Sequence, residues 1–391
     1  MENPAIVIVT FNRPSSLERI LYSIQSANYS HNDIDLILSI DYQDSDLHRE
    51  VVKIAKNFEW QYGTKTVIEH SVNLGLRKHI LGIGELLNKY ASIIVLEDDI
   101  YLSHNYYHFA SQAVSFYQDD LEIAGISLYN FNINQYANLL FFSEKSDTDV
   151  YFINCAQSWG QVWMRKQWKE FAQWYTANSA EFDEMPNLPK TICNWPKSSW
   201  LKYHNRYCIE NNKYFVYPYT SLSTNFGDSG THNTLNNSLF QVPLQYGNKS
   251  RFQFIKRTDL TICYDGFFER KFMGRYLKVD DKDLCVDFYG EKNNRENKQY
   301  YLTPKKMNFE VVRSFKMDLK PYELNIINSF YGNEIFLYNT HNSIKMNGGS
   351  KYSLNQVQFL YQFVSLHSLA KNIKYTNIVK YYINRFLHKL L

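Results

Sequence analysis

The sequence predicts an α/β fold: a mostly parallel sheet with helices on both faces, followed by an α+β extension. Three observations predict it. Apolar runs of strand length alternate with segments of helical spacing through the first hundred residues. The strand runs are apolar throughout rather than at every second residue, the pattern of strands covered on both faces. Three of them end in polar or acidic residues, which a parallel sheet brings to one edge.

In order, Ala5–Val9 is a strand ended by Thr10-Phe11-Asn12-Arg13-Pro14. A helix follows, with Ser15 or Ser16 as cap and Leu17, Ile20, Leu21 and Ile24 on one face. Asp35–Ile40 is a second strand, ending in Asp41, and His48–Phe58 a second helix. Thr66-Val67-Ile68 is a short third strand and Leu76–Leu87 a helix. Ala91–Leu96 is a fourth strand, ending in Glu97-Asp98-Asp99. Beyond about residue 125 short apolar segments (Ile123–Leu128, Leu139–Phe142, Val150–Ile153) lead to a tryptophan-rich stretch, Ser158-Trp159-Gly160-Gln161-Val162-Trp163-Met164. Helices are expected over Lys166–Tyr175 and Ser198–Glu210, with a proline-containing loop, Met185–Pro196, between them. Tyr214–Thr224 reads as a strand running into a Gly/Asn/Asp-rich loop at 225–233.

Composition narrows the function classes. With 45% apolar and 21% charged residues the 391-residue chain can bury a core, and no run nears the roughly 20 apolar residues that span a bilayer. Met1-Glu2-Asn3-Pro4 has no basic region of the signal-peptide kind. Five widely spaced cysteines without a CxxC pair read as free thiols in a reducing, cytoplasmic setting. The net charge of +3 divides unevenly: residues 1–239 hold 18 Lys/Arg against 26 Asp/Glu, and residues 240–391 hold 24 against 13. Three units are expected: 1–239, a catalytic domain; 240–370, an α+β domain of unassigned role; and 371–391, a basic amphipathic helix. In the last, Ile378, Val379, Tyr382, Ile383, Phe386, Leu387 and Leu390 recur at helical spacing among Lys and Arg without an acid. Such a helix suits the anionic inner face of a membrane, or a solvated face of its own domain.

Glu97-Asp98-Asp99, with Asp41 and Arg13 at neighbouring strand ends, carries the strongest chemical signal. Adjacent carboxylates repel one another unless a cation is present, and Mg²⁺ or Mn²⁺ favours such oxygens shared with phosphates. Gly82-Ile83-Gly84 lacks a third glycine and a preceding strand, so a dinucleotide fingerprint is absent. There is no GxxxxGK[ST] loop, no GxSxG, no HExxH and no nucleic-acid module.

The opening Ile6-Val7-Ile8-Val9-Thr10-Phe11-Asn12-Arg13-Pro14 resembles that of GT-A glycosyltransferases, and Leu96-Glu97-Asp98-Asp99-Ile100 resembles their DxD-type motif in the EDD form of the N-acetylglucosaminyltransferase I family. The likeness runs through Trp159-Gly160 and Ser198-Ser199-Trp200 to Phe226–His232, about the first 235 residues, and is similar to bacterial surface-polysaccharide members. It implies a metal-dependent, Mn²⁺- or Mg²⁺-using enzyme that moves a sugar from a nucleotide-sugar, a UDP-sugar by preference, to a growing, lipid-linked glycan. Arg13 and Thr10 would lie at the nucleotide, Asp41 at the base, His79 elsewhere on the nucleotide, Asp98 on the ribose side and Glu97 at the donor sugar. Asp99 would bind the metal, and His232 the diphosphate or the metal. Trp159, Trp163 and Trp200 are candidates for stacking on sugar faces. Where the family carries an aspartate pair before a tryptophan, this chain has Ser198-Ser199, and a serine hydroxyl is a poor proton acceptor at neutral pH. Asp228 is the alternative general base; a different stereochemical course or a shifted alignment are the others. A sugar nucleotidyltransferase and a sugar-binding protein without turnover remain as competing readings.

Overall fold

A computed structural model describes residues 3–228, 238–292, 297–344 and 354–361. In chain order the strands are β1 (Ala5–Thr10), β2 (Leu36–Ile40), β3 (Lys65–Glu69), β4 (Ser92–Glu97), β5 (Ile100–Leu102), β6 (Ile123–Ser127), β7 (Ile133–Asn134), β8 (Leu139–Leu140), β9 (Val150–Ile153), β10 (Gln161–Met164), β11 (Tyr214–Pro218), β12 (Ser223–Asn225), β13 (Cys263–Tyr264), β14 (Leu284–Val286), β15 (Tyr300–Thr303), β16 (Phe309–Phe315) and β17 (Ile335–Ser343). The helices are α1 (Pro14–Gln25), α2 (Asp46–Asn57), α3 (Leu76–Ile83), α4 (Tyr106–Tyr117), α5 (Arg165–Asn178), α6 (Lys190–Cys193), α7 (Leu201–Glu210), α8 (Gly274–Leu277), α9 (Glu323–Ile327) and α10 (Leu354–Tyr361).

Among the described residues the main sheet has nine strands in the order β13-β9-β11-β6-β10-β4-β1-β2-β3. Its β4-β1-β2-β3 half is parallel throughout, as the apolar runs predict. The antiparallel β10 then joins β4 to β6. Side chains of β1 alternate between two cores. Ile6 and Ile8 face the cluster that holds Leu17, Ile20 and Ile24 of α1 and Phe109 of α4. Val7 and Val9 face the one that holds Ile80 of α3, Trp168 of α5 and Tyr203 of α7.

Local chemistry sets the element ends. Pro14 opens α1 at its first position, where its fixed φ suits a helix and its missing N–H is no loss, so Arg13 rather than Ser15 or Ser16 is the cap residue. Ser45 Oγ accepts the His48 N–H at 3.2 Å and caps α2. The helix expected over Leu76–Leu87 ends at Ile83 and continues as a 3₁₀ turn through Asn88. The expected loop Met185–Pro196 contains the short α6. The expected strand Tyr214–Thr224 divides into β11, in the main sheet, and β12, which leaves it to pair with β5.

Residue 239 is not a break in the main sheet: β13 returns beside β9 as an edge strand. Phe252 and Phe254 also pack on Phe109 of α4, at ring distances of 5.2 and 5.6 Å. A second sheet, β14-β15-β17-β16, follows. Its Val286, Leu302 and Leu337 share an apolar cluster with Tyr151 and Tyr264 of the main sheet. The segment 371–391 lies outside the described residues. Within them no helix is long and apolar enough to cross a membrane, and all five cysteines are free and buried.

Glu323 is buried at the start of α9, and its Oε2 has no hydrogen-bond partner among the described residues. Burial raises its carboxyl from 4.5 to about 7, against the pull of its own backbone N–H and Arg270. Because the folded pKa is raised, this group's contribution to stability is complete below about pH 4.5 and is lost as pH rises through about 7. Glu323→Gln should therefore gain about 3 kcal/mol on wild type between pH 4 and pH 8. Denaturant unfolding at the two pH values measures this, and a constant difference between the proteins would refute it.

Candidate functional site

The parallel half of the sheet brings the ends of β1, β2, β3 and β4 to one edge, with Val9 level with Glu97 and Thr10 level with Ile40. Beyond β4 the chain turns at Asp98-Asp99 and enters β5. Asp98 is buried, and its Oδ2 accepts from Thr10 Oγ1 at 2.6 Å. Its Oδ1 is ion-paired with Arg13 Nη2, while Arg13 Nη1 donates to Asp99 Oδ2 at 3.3 Å. One guanidinium thus bridges two adjacent carboxylates, and Thr10 fixes the deeper one.

Burial pushes the Asp98 carboxyl up to about 6 even with Arg13 and Thr10 beside it. Burial, reinforced by Asp99 and Asp98 and opposed by Arg13, holds Glu97 well above the carboxylate range. Glu97 also hydrogen-bonds Ser158 in the turn before β10, so the tryptophan-rich stretch meets the carboxylates there. Burial works against charge on Arg13, but Asp98, Asp99 and Glu97 outweigh it and hold the guanidinium charged.

Asp99 Oδ1 is buried and has no hydrogen-bond partner among the described residues. An unpartnered carboxylate oxygen beside two further acids fits a hard divalent cation, which takes one or two protein carboxylates and completes its shell with phosphate oxygens and water. Among the described residues no group of three or more His, Cys, Asp or Glu side chains is placed to hold a metal, Glu97, Asp98 and Asp99 included, so a cation here would rest on Asp99 and on oxygens that a phosphate ligand and water supply.

Asp41 is buried at the end of β2 and accepts the backbone N–H groups of Tyr42 (2.9 Å), Leu74 (2.8 Å) and Gly75 (3.0 Å). It thereby fixes the entry to α3, where Gly75 takes a φ of +73° that a side chain would resist. His79 is buried rather than displayed on its helix. Its Nε2 lies 2.8 Å from Ser39 Oγ, and its ring meets His70 edge-on at 5.0 Å. Burial lowers its pKa to about 4, so the imidazole is neutral at physiological pH.

Asp228 reaches the same edge by a long return. The Phe226 N–H donates to the Asp99 carbonyl at 2.9 Å, and the Arg19 guanidinium lies 3.9 Å above the Phe226 ring. Asp228 is ion-paired with Arg19 and accepts from Ser16 Oγ at 2.7 Å. Burial raises its pKa, but Arg19 and Ser16 outweigh that and the net shift is downward. These contacts tie the 226–228 segment to α1 and commit the Asp228 carboxylate, the expected general base, to Arg19 and Ser16. Ser199 Oγ accepts the Lys202 N–H at 3.3 Å and helps start α7. His232 lies outside the described residues. Trp163 and Trp200 are core residues, 1% and 3% exposed, which removes them as sugar platforms. Trp159, partly exposed, packs against Tyr129 and Phe240 at 4.7 and 4.8 Å.

Sequence reasoning missed Arg19, Ser16, Ser158 and His70. The strand-end rule that found Asp41 points equally to His70, which directly follows β3. Two surface grooves, one between α1 and α2 lined by Tyr22, Lys53 and Phe58 and one around Asp119 and Arg257, include none of the strand-end residues.

No family model matches the chain, and no curated protein does. Among solved structures it is similar to the mannosyltransferase PcManGT from Pyrobaculum calidifontis in complex with GDP-Man and Mn²⁺, at 11% identity and a TM-score of 0.30, over 42% of this chain and 45% of that one. It is also similar to GalNAc-T7 with UDP, GalNAc and Mn²⁺, at 12% identity and 0.38, over 55% and 42%. A third is S. aureus TarS 1-349 in complex with UDP, at 9% identity and 0.34, over 56% and 59%. The chain spans about half the length of these solved chains, and the functional reading rests on the site rather than on them.

Proposed function

We propose that the chain is a metal-dependent glycosyltransferase that moves a sugar from a nucleotide-sugar, by preference a UDP-sugar, to a hydroxyl of a growing, lipid-linked bacterial surface glycan. One observation carries the reading: Asp98 and Asp99, oriented by Thr10 and Arg13 at the carboxyl edge of a parallel sheet, with Asp99 Oδ1 unpartnered. Asp99 would hold Mn²⁺ or Mg²⁺. When bound, such an ion supplies charge neutralisation for a departing diphosphate.

The remaining roles fall to the chain's own groups. Arg13 meets the diphosphate; Asp98, pinned by Thr10, lies on the ribose side; Glu97 with Ser158 lies at the donor sugar; and Trp159 borders it. Asp41 and His79 shape the floor on the nucleotide side, where Asp41 holds the start of α3. The acceptor hydroxyl forms its bond to the anomeric carbon, the bond from that carbon to the diphosphate oxygen breaks, and the hydroxyl proton is lost to solvent. Residues 371–391 would bring the protein to the inner membrane face. The ion-paired state of Asp228 favours, as a second reading, a sugar-binding protein without turnover.

Thermal unfolding with UDP, GDP, CMP or dTDP, each with and without Mn²⁺, tests the site. A ligand that binds only the folded state raises the melting temperature by mass action, adding about 2.7 kcal/mol of stability at a hundredfold excess over Kd. We expect manganese-dependent stabilisation of several degrees by one nucleotide, lost in Asp99→Ala. If no nucleotide shifts either protein, the strand-end cluster is not a nucleotide site. Release of free nucleoside diphosphate from the sugar donor in the presence of an acceptor then separates transfer from binding without turnover.

A further inference from the structure

The four oxygens of Asp98 and Asp99 are not equally available. Thr10 takes one, the Arg13 guanidinium takes one on each residue, and Asp99 Oδ1 is left without a partner. A divalent cation that needs more of these oxygens than this one must take it from Thr10 or Arg13, and Arg13 holds two of the three and is the partner that carries a like charge. Even at Asp99 Oδ1 alone, it would sit beside a fixed positive charge.

Arg13 is well placed to yield. Its backbone is fixed, its carbonyl accepting the Leu17 N–H at 3.0 Å in the first turn of α1. Its side chain is 25% exposed, against 2% for Asp98, so the guanidinium has a way out and the carboxylate does not.

Resting on the transferase reading, we propose that Arg13 competes with the divalent cation for the Asp98–Asp99 oxygens, so that metal binds tightly only when a nucleotide diphosphate draws the guanidinium away. Arg13 then couples the two ligands. Metal displaces it toward the diphosphate, and the diphosphate, by pairing with it, frees the carboxylates for metal. Linkage requires the effect to be mutual. The arrangement opposes loading of metal without donor, through a charge belonging to the chain itself.

The test is Mn²⁺ binding, read from the electron paramagnetic resonance signal of the free ion, with and without UDP. Wild type, Arg13→Ala and Arg13→Lys are compared. For Mn²⁺ alone, Arg13→Ala should bind about tenfold tighter than wild type, within the usual range of coupling between sites. The factor by which UDP tightens Mn²⁺ binding should shrink correspondingly. Arg13→Lys keeps a cation but cannot bridge two carboxylates as a planar fork, so it should fall between the two. If Arg13→Ala fails to fold by thermal unfolding, the lysine variant decides. Mn²⁺ binding alone that is unchanged or weaker in the folded variant overturns the competition while leaving the metal site standing. A wild type that binds Mn²⁺ neither alone nor with UDP overturns the transferase reading and the competition together.

Discussion

Asp99→Asn should slow sugar transfer by about three orders of magnitude, ~4 kcal/mol of lost transition-state stabilisation, while leaving the fold intact. The amide keeps the volume of the carboxylate but not its charge, and charge is what a hard cation and a departing diphosphate require. Asp99 makes few demands on the fold: its side chain is 16% exposed, and its ion pair with Arg13 is the long one, at 3.3 Å. Turnover with a UDP-sugar at saturating Mn²⁺, beside the melting temperature, separates the two effects. Activity within tenfold of wild type would move the metal away from Asp99. Asp98→Asn should behave differently. Asp98 is 1% exposed and holds both Thr10 and Arg13, so neutralising it leaves a half-buried guanidinium short of its main partner. Stability should fall along with activity, and that contrast distinguishes the residue that organises the site from the one that meets the ligand.

The contrast also shows what local pattern could reveal. Thr10, Arg13, Asp41, Asp98 and Asp99 were legible because each lies within a few residues of the end of an apolar strand run, and a parallel sheet places such ends on one edge regardless of the rest of the chain. The partners of Asp228 were not legible. Its partners, Ser16 and Arg19, precede it by 212 and 209 residues, and nothing in the periodicity of α1 shows that its polar face receives a carboxylate from so far along the chain. β13 is two residues long and exists by pairing with β9, so it has no signature of its own. Although it comes after the boundary expected at residue 239, it lies in the main sheet. β11 and β12 read as one strand because both are buried and no Gly, Asn or Asp interrupts residues 214–224; their separation depends on partners, β6 and β9 for one and β5 for the other.

The tryptophans carry the second large expectation. Trp163 stacks on Trp168 with ring centroids 4.0 Å apart and planes 16° from parallel, meets Trp200 at 5.7 Å, and donates from Nε1 to Gln161 Oε1 at 2.6 Å. It is 1% exposed, on a strand whose Ile93 partner belongs to β4. Trp163→Ala should destabilise the protein by about 3–5 kcal/mol, because the indole's contacts are lost and a rigid aromatic cluster closes only partly over the cavity. Trp163→Phe should lose less, mainly through the buried Gln161 oxygen left without its donor, at about 1–3 kcal/mol. In both variants the UDP and Mn²⁺ affinities of the folded protein, measured well below the unfolding transition, should remain within a few-fold of wild type. A sugar platform would show the opposite signature: near-normal denaturant unfolding with donor affinity sharply reduced. Trp159 is the internal control. It lies beside Ser158 at the carboxylate edge and is partly exposed, so Trp159→Ala should disturb donor-sugar binding more than stability. If Trp163→Ala instead costs donor affinity and little stability, the aromatic cluster reaches the substrate, and the boundary between core and site on this face of the sheet must be redrawn.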